Sequence, residues 1–307
     1  MNHARTYLKL TLTTLFWAAV FHAGKYAVAL MSPLSLGAWR FLLAAAVLLP
    51  LVAWRDGWPL PALRRNALAL LSMSAVGVFG FNVSLFYGLR LTSAVNGALI
   101  MALNPALTVV LSALLNREPI APRQAIGLTL GLAGVIVVVS KGSWQALTAL
   151  SFSSGDLLVF LGSLGWAAYT VIPKRFVHGL STMQVTGSTI AGGAAMMAAC
   201  AAAVTPDFLA RPALPVAAAI AFMGLFGSVL AYLWWNQGIQ QLGAASGAVF
   251  INLVPIFAAL IGLLLGQSVS AAQLGGAALV IAGVLCSSGA LRALLARPAL
   301  RAAPACR

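Results

Sequence analysis

The segment FWAAVFHAGK at residues 16–25 returns as GWAAYTVIPK at residues 165–174. Trp17-Ala18-Ala19 with Lys25 thus meets Trp166-Ala167-Ala168 with Lys174, at an offset of about 150 positions. Outward from there the register holds. Gly77 and Gly88 meet Gly227 and Gly238, and Gly97-Ala98, Leu103 and Pro105 meet Gly247-Ala248, Leu253 and Pro255. After a slip of one residue, Gln124, Gly127 and Ala133-Gly134-Val135 meet Gln273, Gly276 and Ala282-Gly283-Val284. Ordered agreement in residues as rare as Trp and Pro marks a duplicated architecture.

The repeated material is too apolar for water. Of 307 residues, 62% are hydrophobic and 7% charged, against roughly 25% charged in a soluble domain, which excludes a soluble enzyme. A membrane crossing takes about 20 helical residues. Apolar runs bounded by charge, Gly, Pro or polar clusters predict ten helices, near 7–30, 35–54, 66–89, 92–115, 123–140, 155–172, 182–204, 214–235, 244–266 and 271–291. The first reads as a retained span, not a cleaved signal, because more membrane follows it. The fold expected is all-α and polytopic: a first repeat over 1–142, a connection at 143–154, a second repeat over 155–291 and a basic tail at 292–307.

Five spans per repeat is an odd number, so the second copy enters the membrane inverted relative to the first. Two inverted halves that exchange conformations give inward-open and outward-open forms of one site, the basis of alternating access. Orientation follows from charge. A cytoplasmic N-terminus puts Arg5, Lys9, Arg55, Arg64, Arg65, Arg117, Arg123, Lys174, Arg175, Arg292, Arg297, Arg301 and Arg307 inside, and Arg90, Lys141 and Arg211 outside. Both termini are then cytoplasmic. The same distribution explains the net charge of +14 without a nucleic-acid partner, since the basic residues cap helix ends and form no stripe.

Several residues stand out within the spans. Pro105 and Pro255, near the middle of the fourth and ninth, each remove a backbone donor. Such breaks are tolerated where they face protein or a watered cavity, so the pair points at a substrate site, a packing kink being the alternative. Trp17 and Trp166 lie at mid-depth, away from the interfacial belt that suits Trp54, Trp58 and Trp144, and offer flat faces for stacking or for packing between helices. Asn82, Asn104, Asn252 and Tyr232 are polar groups in apolar spans, suited to bonding a substrate or a neighbouring helix. Lys25 and Arg40 are expected to snorkel to the headgroups, the alternative being a hold on a substrate carboxylate. His22 is read as a hydrogen-bonded structural residue, with proton carriage as the alternative. Gly127 with Gly131, Gly243 with Gly247 and Gly262 with Gly266 are expected to allow close contact within the bundle.

The Trp and Lys of the first and sixth spans, Arg40 after Pro33, the Gly-rich third and eighth spans, Asn104-Pro105 and the Ala-Gly-Val elements resemble the drug/metabolite transporter superfamily. Within it the chain, over about residues 8 to 290, is similar to the EamA-type exporters and to their aromatic amino-acid branch. The resemblance implies a secondary exporter of amino acids, aromatic ones included, and related metabolites. One departure is Arg117-Glu118 and Gly266-Gln267 where that family often has Gly-Glu.

The substrate-binding set expected is Trp17, Asn82, Asn104, Trp166, Tyr232 and Asn252, with helix breaks at Pro105 and Pro255. No acid lies at mid-depth, which argues for facilitated export or weak proton exchange over tight ion coupling, and against a carrier of cationic drugs. No phosphate-binding loop is present, so ATP is not expected to drive transport. Cys200, Cys286 and Cys306 are not spaced as metal ligands, and no metal or cofactor is expected. The partners expected are a small-molecule substrate and membrane lipid around a monomer in the cell's cytoplasmic membrane. A drug exporter, a lipid flippase, a channel and a membrane-embedded enzyme are the competing classes, the last needing a clustered acid, base or metal set that the spans do not show.

Overall fold

The computed structural model describes residues 3–92, 94–150, 153–206 and 208–288. Asp207, the expected tail at 292–307, Cys306 and the last residues of the tenth predicted span lie outside them. Every regular element among the described residues is helical. The ten long helices are α1 (His3–Ala27), α2 (Pro33–Arg55), α3 (Ala67–Leu91), α4 (Asn96–Asn116), α5 (Pro122–Ser140), α6 (Ser154–Phe176), α7 (Thr182–Val204), α8 (Leu214–Leu242), α9 (Ala244–Leu264) and α10 (Ala271–Ser288). Short helices at Leu60–Arg65 and Trp144–Thr148 sit in connections.

Nine of the ten, α2 to α10, are long and apolar enough to cross a membrane. At 25 residues α1 has the length but is more polar. Its polar groups turn inward: Thr6 donates to Gln241, Lys9 Nζ to Gln237 Oε1 at 2.7 Å, and His22 Nε2 meets the Ala258 carbonyl at 3.2 Å. His22 thus has the structural partner expected of it. Large apolar side chains cover the outside instead, Leu68, Leu114, Leu161, Leu264 and Leu274 among them, as hydrocarbon surroundings require.

Local signals set the helix ends. Pro33 opens α2 behind Ser32, whose hydroxyl accepts from the Ser35 N–H, and Pro122 opens α5. Ser153 with Asp156 and Ser181 with Gln184 form reciprocal caps that start α6 and α7. Lys141 and Gly142, with φ of 54° and 74°, end α5.

The two halves interlace. Helix α1 packs on α8 and α9 while its repeat-mate α6 packs on α3 and α4; α2 meets α7 and α8, α7 meets α2 and α3, and α5 pairs with α10. Each of these contacts maps onto another, or onto itself, when the repeats are exchanged. The α5–α10 seam is closest. A Cβ on Gly134 would lie 2.6 Å from the Gly276 carbonyl oxygen, and one on Gly276 would lie 2.8 Å from that of Gly134. Gly127 and Gly283 make the equivalent approach one turn and more away, so Gly127 works within the bundle as expected. Gly243 and Gly266 instead have positive φ, at 82° and 83°, and end helices.

Spans α3 and α8 share a feature not legible as a straight apolar run. Each contains a π-helical stretch, Ser74–Gly80 in α3 and Met223–Leu230 in α8. Gly77 and Gly227 lie inside these stretches, and a Cβ on either would strike the facing first helix of the other repeat, at Tyr169 of α6 and at Val20 of α1. The wide turns and bare backbone let α6 and α1 come close at equivalent places.

Candidate functional site

Helix α6 carries Trp166 and Tyr169, three residues apart and therefore on one face. Helix α8 repeats the device with Tyr232 and Trp235. With Trp17 from α1 and Phe81 from α3, these rings form one cluster at the meeting of the halves. Trp166 lies at its centre, with ring centroids 5.2 Å from Trp17, 5.2 Å from Phe81, 5.2 Å from Tyr169, 5.3 Å from Tyr232 and 5.9 Å from Trp235. The stacking on Tyr169 is nearly parallel, at 18°, and the meetings with Trp17 and Tyr232 are edge-on, at 86°. These are the two geometries that the ring quadrupole favours.

Polar atoms of the cluster are bonded along its rim. Trp17 Nε1 donates to the Gly227 carbonyl at 3.1 Å, in the π-helical stretch of α8, and Trp235 Nε1 donates to Thr170 Oγ1 at 3.3 Å. Asn236 Nδ2 donates to the Tyr169 hydroxyl and to Thr186 Oγ1, both at 2.8 Å. Asn82 Nδ2 donates to the Val78 carbonyl at 2.7 Å, and Asn82 is buried.

Four of the six residues expected to bind substrate therefore meet: Trp17, Trp166, Tyr232 and Asn82. Asn104 lies beside them but is engaged, its Nδ2 donating to the Ser163 carbonyl at 2.8 Å and to Ser163 Oγ at 3.2 Å, one turn before Trp166. Asn252 stands apart against Gly131 of α5, buried, with Oδ1 lacking a partner among the described residues. Pro105 and Pro255 lie in the first turn of the second part of a divided span. Helix α4, whose first part forms one helix with Ala94 and Val95, breaks at Leu103 before Asn104–Asn116, while α9 changes to a tighter 3-10 turn over Val249–Asn252. The physical reason is the proline ring, which clashes with the carbonyl four residues back and leaves it without a donor.

Arg40 departs most from expectation. Lys25 is exposed, as a snorkelling side chain would be, but Arg40 is only 5% exposed and turned into the bundle. Its Nε donates to Ser228 Oγ at 2.7 Å and its Nη2 to the Gly227 carbonyl at 3.3 Å, so one carbonyl serves both Arg40 and Trp17. Snorkelling is ruled out by that geometry. Burying an ion costs several kcal/mol, against about 1.5–3 kcal/mol for each bond a charged donor makes.

Two clefts lie at opposite ends of the bundle, with the aromatic cluster between them. One, about 220 Å³, is bordered by Val109, Ser112, Glu118, Arg123 and Gln124 of the α4–α5 corner and by Leu242 to Ser246 between α8 and α9. The other is a narrow slot at Pro33, Leu34, Asn82, Val83, Phe86, Tyr87 and Met197, and it reaches the cluster at Asn82.

The sequence profile of the EamA-like transporter family matches twice, over residues 4–140 and 153–289. The chain belongs to the EamA-like transporter family. Among its relatives, the uncharacterized transporter YyaM of Bacillus subtilis (strain 168) is 40% identical over 293 residues, 95% of this chain and 96% of that protein. An uncharacterized transporter of Archaeoglobus fulgidus is 30% identical over 84% of this chain and 88% of its own length. The uncharacterized inner membrane transporter YedA of Escherichia coli (strain K12) is 28% identical, covering 82% and 80%. A crystal structure of 23% sequence identity shares the fold, with a TM-score of 0.78 over 95% of this chain and 99% of that one. The protein is thus a multi-pass membrane transporter of two repeats.

In this EamA-like transporter, sequence reasoning missed Tyr169, Trp235 and Phe81. The three-residue spacing from Trp166 and from Tyr232 was the available signal for the first two. Nothing in the sequence marked Phe81, which follows directly on the π-helical stretch of α3.

One end of the large cleft is tied by charge. Lys174 of α6 pairs with Glu118, which also accepts from Ser112, while Arg175 donates to the Leu115 carbonyl. Under the repeat, Lys25 and Gln267 occupy the matching places at the other end of the bundle, where an amide replaces the acid. Partial burial opposes ionisation of Glu118, but the bonds from Lys174 and Ser112 and the Lys174 charge outweigh it and hold the carboxyl below its usual range. A depressed carboxyl stabilises the fold above its unfolded value and loses that contribution as pH falls through the folded one. Glu118→Gln should therefore lower thermal stability slightly, by about 0.2–1 kcal/mol, above about pH 5. The difference from wild type should vanish in more acid buffer; melting curves of the purified pair across pH 3–8 check this.

Proposed function

We propose that this EamA-like transporter carries amino acids, aromatic ones included, and related small metabolites outward across the cytoplasmic membrane by alternating access, without ATP. The observation that carries the reading is the aromatic cluster. It draws Trp17 and Phe81 from one repeat and Trp166, Tyr169, Tyr232 and Trp235 from the other, so any rocking of the halves must open or close it. Rings that stack on one another can exchange those contacts for an apolar or aromatic substrate side chain. Asn82 and Tyr232 then face its polar groups. Asn104 joins at the divided α4, where re-pairing of freed backbone would release it from Ser163, and Asn252 lies at the matching break of α9.

The end bearing most Lys and Arg is assigned to the cytoplasm, which places the larger cleft and both termini there. Substrate enters from the cytoplasm through that cleft and leaves past Asn82, down its gradient. A monomer suffices for this path.

The test is uptake of labelled amino acids into liposomes holding the purified protein. Saturable uptake of phenylalanine and tryptophan, competed by excess unlabelled ligand and absent from empty liposomes, is expected. Flat traces across all amino acids would overturn the substrate assignment and turn attention to drugs. Phospholipid scrambling or single-channel currents would overturn the carrier mechanism itself.

A further inference from the structure

We infer that Arg40 is the counter-charge for a carboxylate on the transported molecule, so that the site selects organic acids and amino acids over amines and amides. The inference rests on the reading of the aromatic cluster as the transport site and adds the chemistry of its charged end. Arg40 is the eighth residue of α2, about 10 Å along the helix axis from Pro33, and it is turned away from the headgroups toward α8. Its two bonded nitrogens contact neutral acceptors only, Ser228 Oγ and the Gly227 carbonyl.

Among the described residues no acid answers it. Asp56 bonds Ser181, Glu118 bonds Lys174 and Ser112, and Asp156 bonds Thr92, Asn96 and Ser153, all at helix ends. The fourth, Asp207, is outside the described residues. A guanidinium offers five N–H donors in a planar fork. Among the described residues Nη1 has no hydrogen-bond partner, and the guanidinium carbon lies 4.9 Å from the centroid of the Phe41 ring. The guanidinium sits at the edge of the aromatic cluster: Nη2 shares its carbonyl with Trp17, and the Phe41 ring beneath it meets Tyr232 edge-on, with centroids 6.0 Å apart. A carboxylate matches the fork with two parallel bonds, whereas an ammonium would be repelled and an amide brings no charge.

The experiment measures ligand-induced thermal stabilisation of the detergent-purified full chain, titrated with 3-phenylpropionate, 3-phenylpropanamide, phenethylamine, acetate and inorganic phosphate. Arg40→Gln and Arg40→Lys are titrated alongside wild type. The expected result is binding of 3-phenylpropionate at least about tenfold tighter than of its amide, with phenethylamine weaker still. In Arg40→Gln the acid and the amide should become equal, while Arg40→Lys, which keeps the charge and loses the fork, should retain part of the preference. Equal affinity of acid and amide in wild type overturns the inference, and this arm holds even if Arg40→Gln does not fold. A full acid preference surviving in folded Arg40→Gln overturns it too, as does phosphate binding more tightly than either carboxylate, or no response to any acid. Acetate matching 3-phenylpropionate would leave the anion site standing and overturn the aromatic reading instead.

Discussion

Replacing Gly134 with leucine should leave little well-folded protein, and what folds should melt roughly 10 °C or more below wild type. At this point the α5 and α10 backbones lie against each other. The new Cβ alone would stand 2.6 Å from the Gly276 carbonyl oxygen and 2.7 Å from the Val280 nitrogen. Overpacking a core costs about 1–3 kcal/mol when side chains can rotate out of the way. Backbone atoms cannot, so the two helices must part along the whole seam, including the matching approach of Gly127 to Gly283. The effect should therefore reach or pass the top of that range. Gly275→Leu is the control: nothing lies within 4 Å of a Cβ there, and its melting temperature should stay near wild type. Size-exclusion profiles and melting curves in detergent decide the matter. A Gly134→Leu protein as stable as the control would mean that the seam is not where the last helices of the two repeats are joined.

Transport should fall most steeply on loss of the cluster's centre. Trp166→Ala removes an indole that is 3% exposed and touches five other rings, a truncation costing about 3–5 kcal/mol. It should abolish saturable uptake and destabilise the protein together. Trp17→Ala separates the two effects. Trp17 is only half-buried, and its single protein hydrogen bond, to the Gly227 carbonyl, is worth about 1 kcal/mol. Melting should change modestly while uptake drops about tenfold or more, since stacking on a ligand ring contributes about 0.5–1.5 kcal/mol beyond the area it covers. Trp54→Ala, at a residue 83% exposed, should leave both unchanged. Uptake by Trp17→Ala equal to that of Trp54→Ala would remove the aromatic cluster from the transport path.

Much of this was legible in order along the chain. Hydrocarbon demands long apolar helices, so the spans could be counted, and a repeated Trp-Ala-Ala and Leu-x-Pro placed them in two halves. Trp17, Trp166, Tyr232 and Asn82 were picked out because aromatic and polar side chains are rare at mid-depth. The first helix was harder: its threonines, Lys9 and His22 lower its hydropathy, and their inward partners on α8 and α9 are far away in sequence. Asn104 and Asn252 looked equivalent as buried amides, yet one is bonded to Ser163 and the other faces Gly131. Helical spacing says which face a residue shares, not which neighbour that face meets.

The sequence by itself determined the class of the molecule, the number of long helices, the duplication and the matched Pro105 and Pro255 at which two spans divide, because each depends on local periodicity or on a solvent that tolerates no unpaired backbone. Only the tertiary structure decided that Arg40 folds inward onto the π-helical stretch of α8 and that Tyr169, Trp235 and Phe81 join the central rings. It also decided that the halves interlace through α1 on α8 and α6 on α3. These depend on wide helical turns and bare glycine backbones meeting partners about 150 residues away, an encounter that pairwise distance in the chain does not encode.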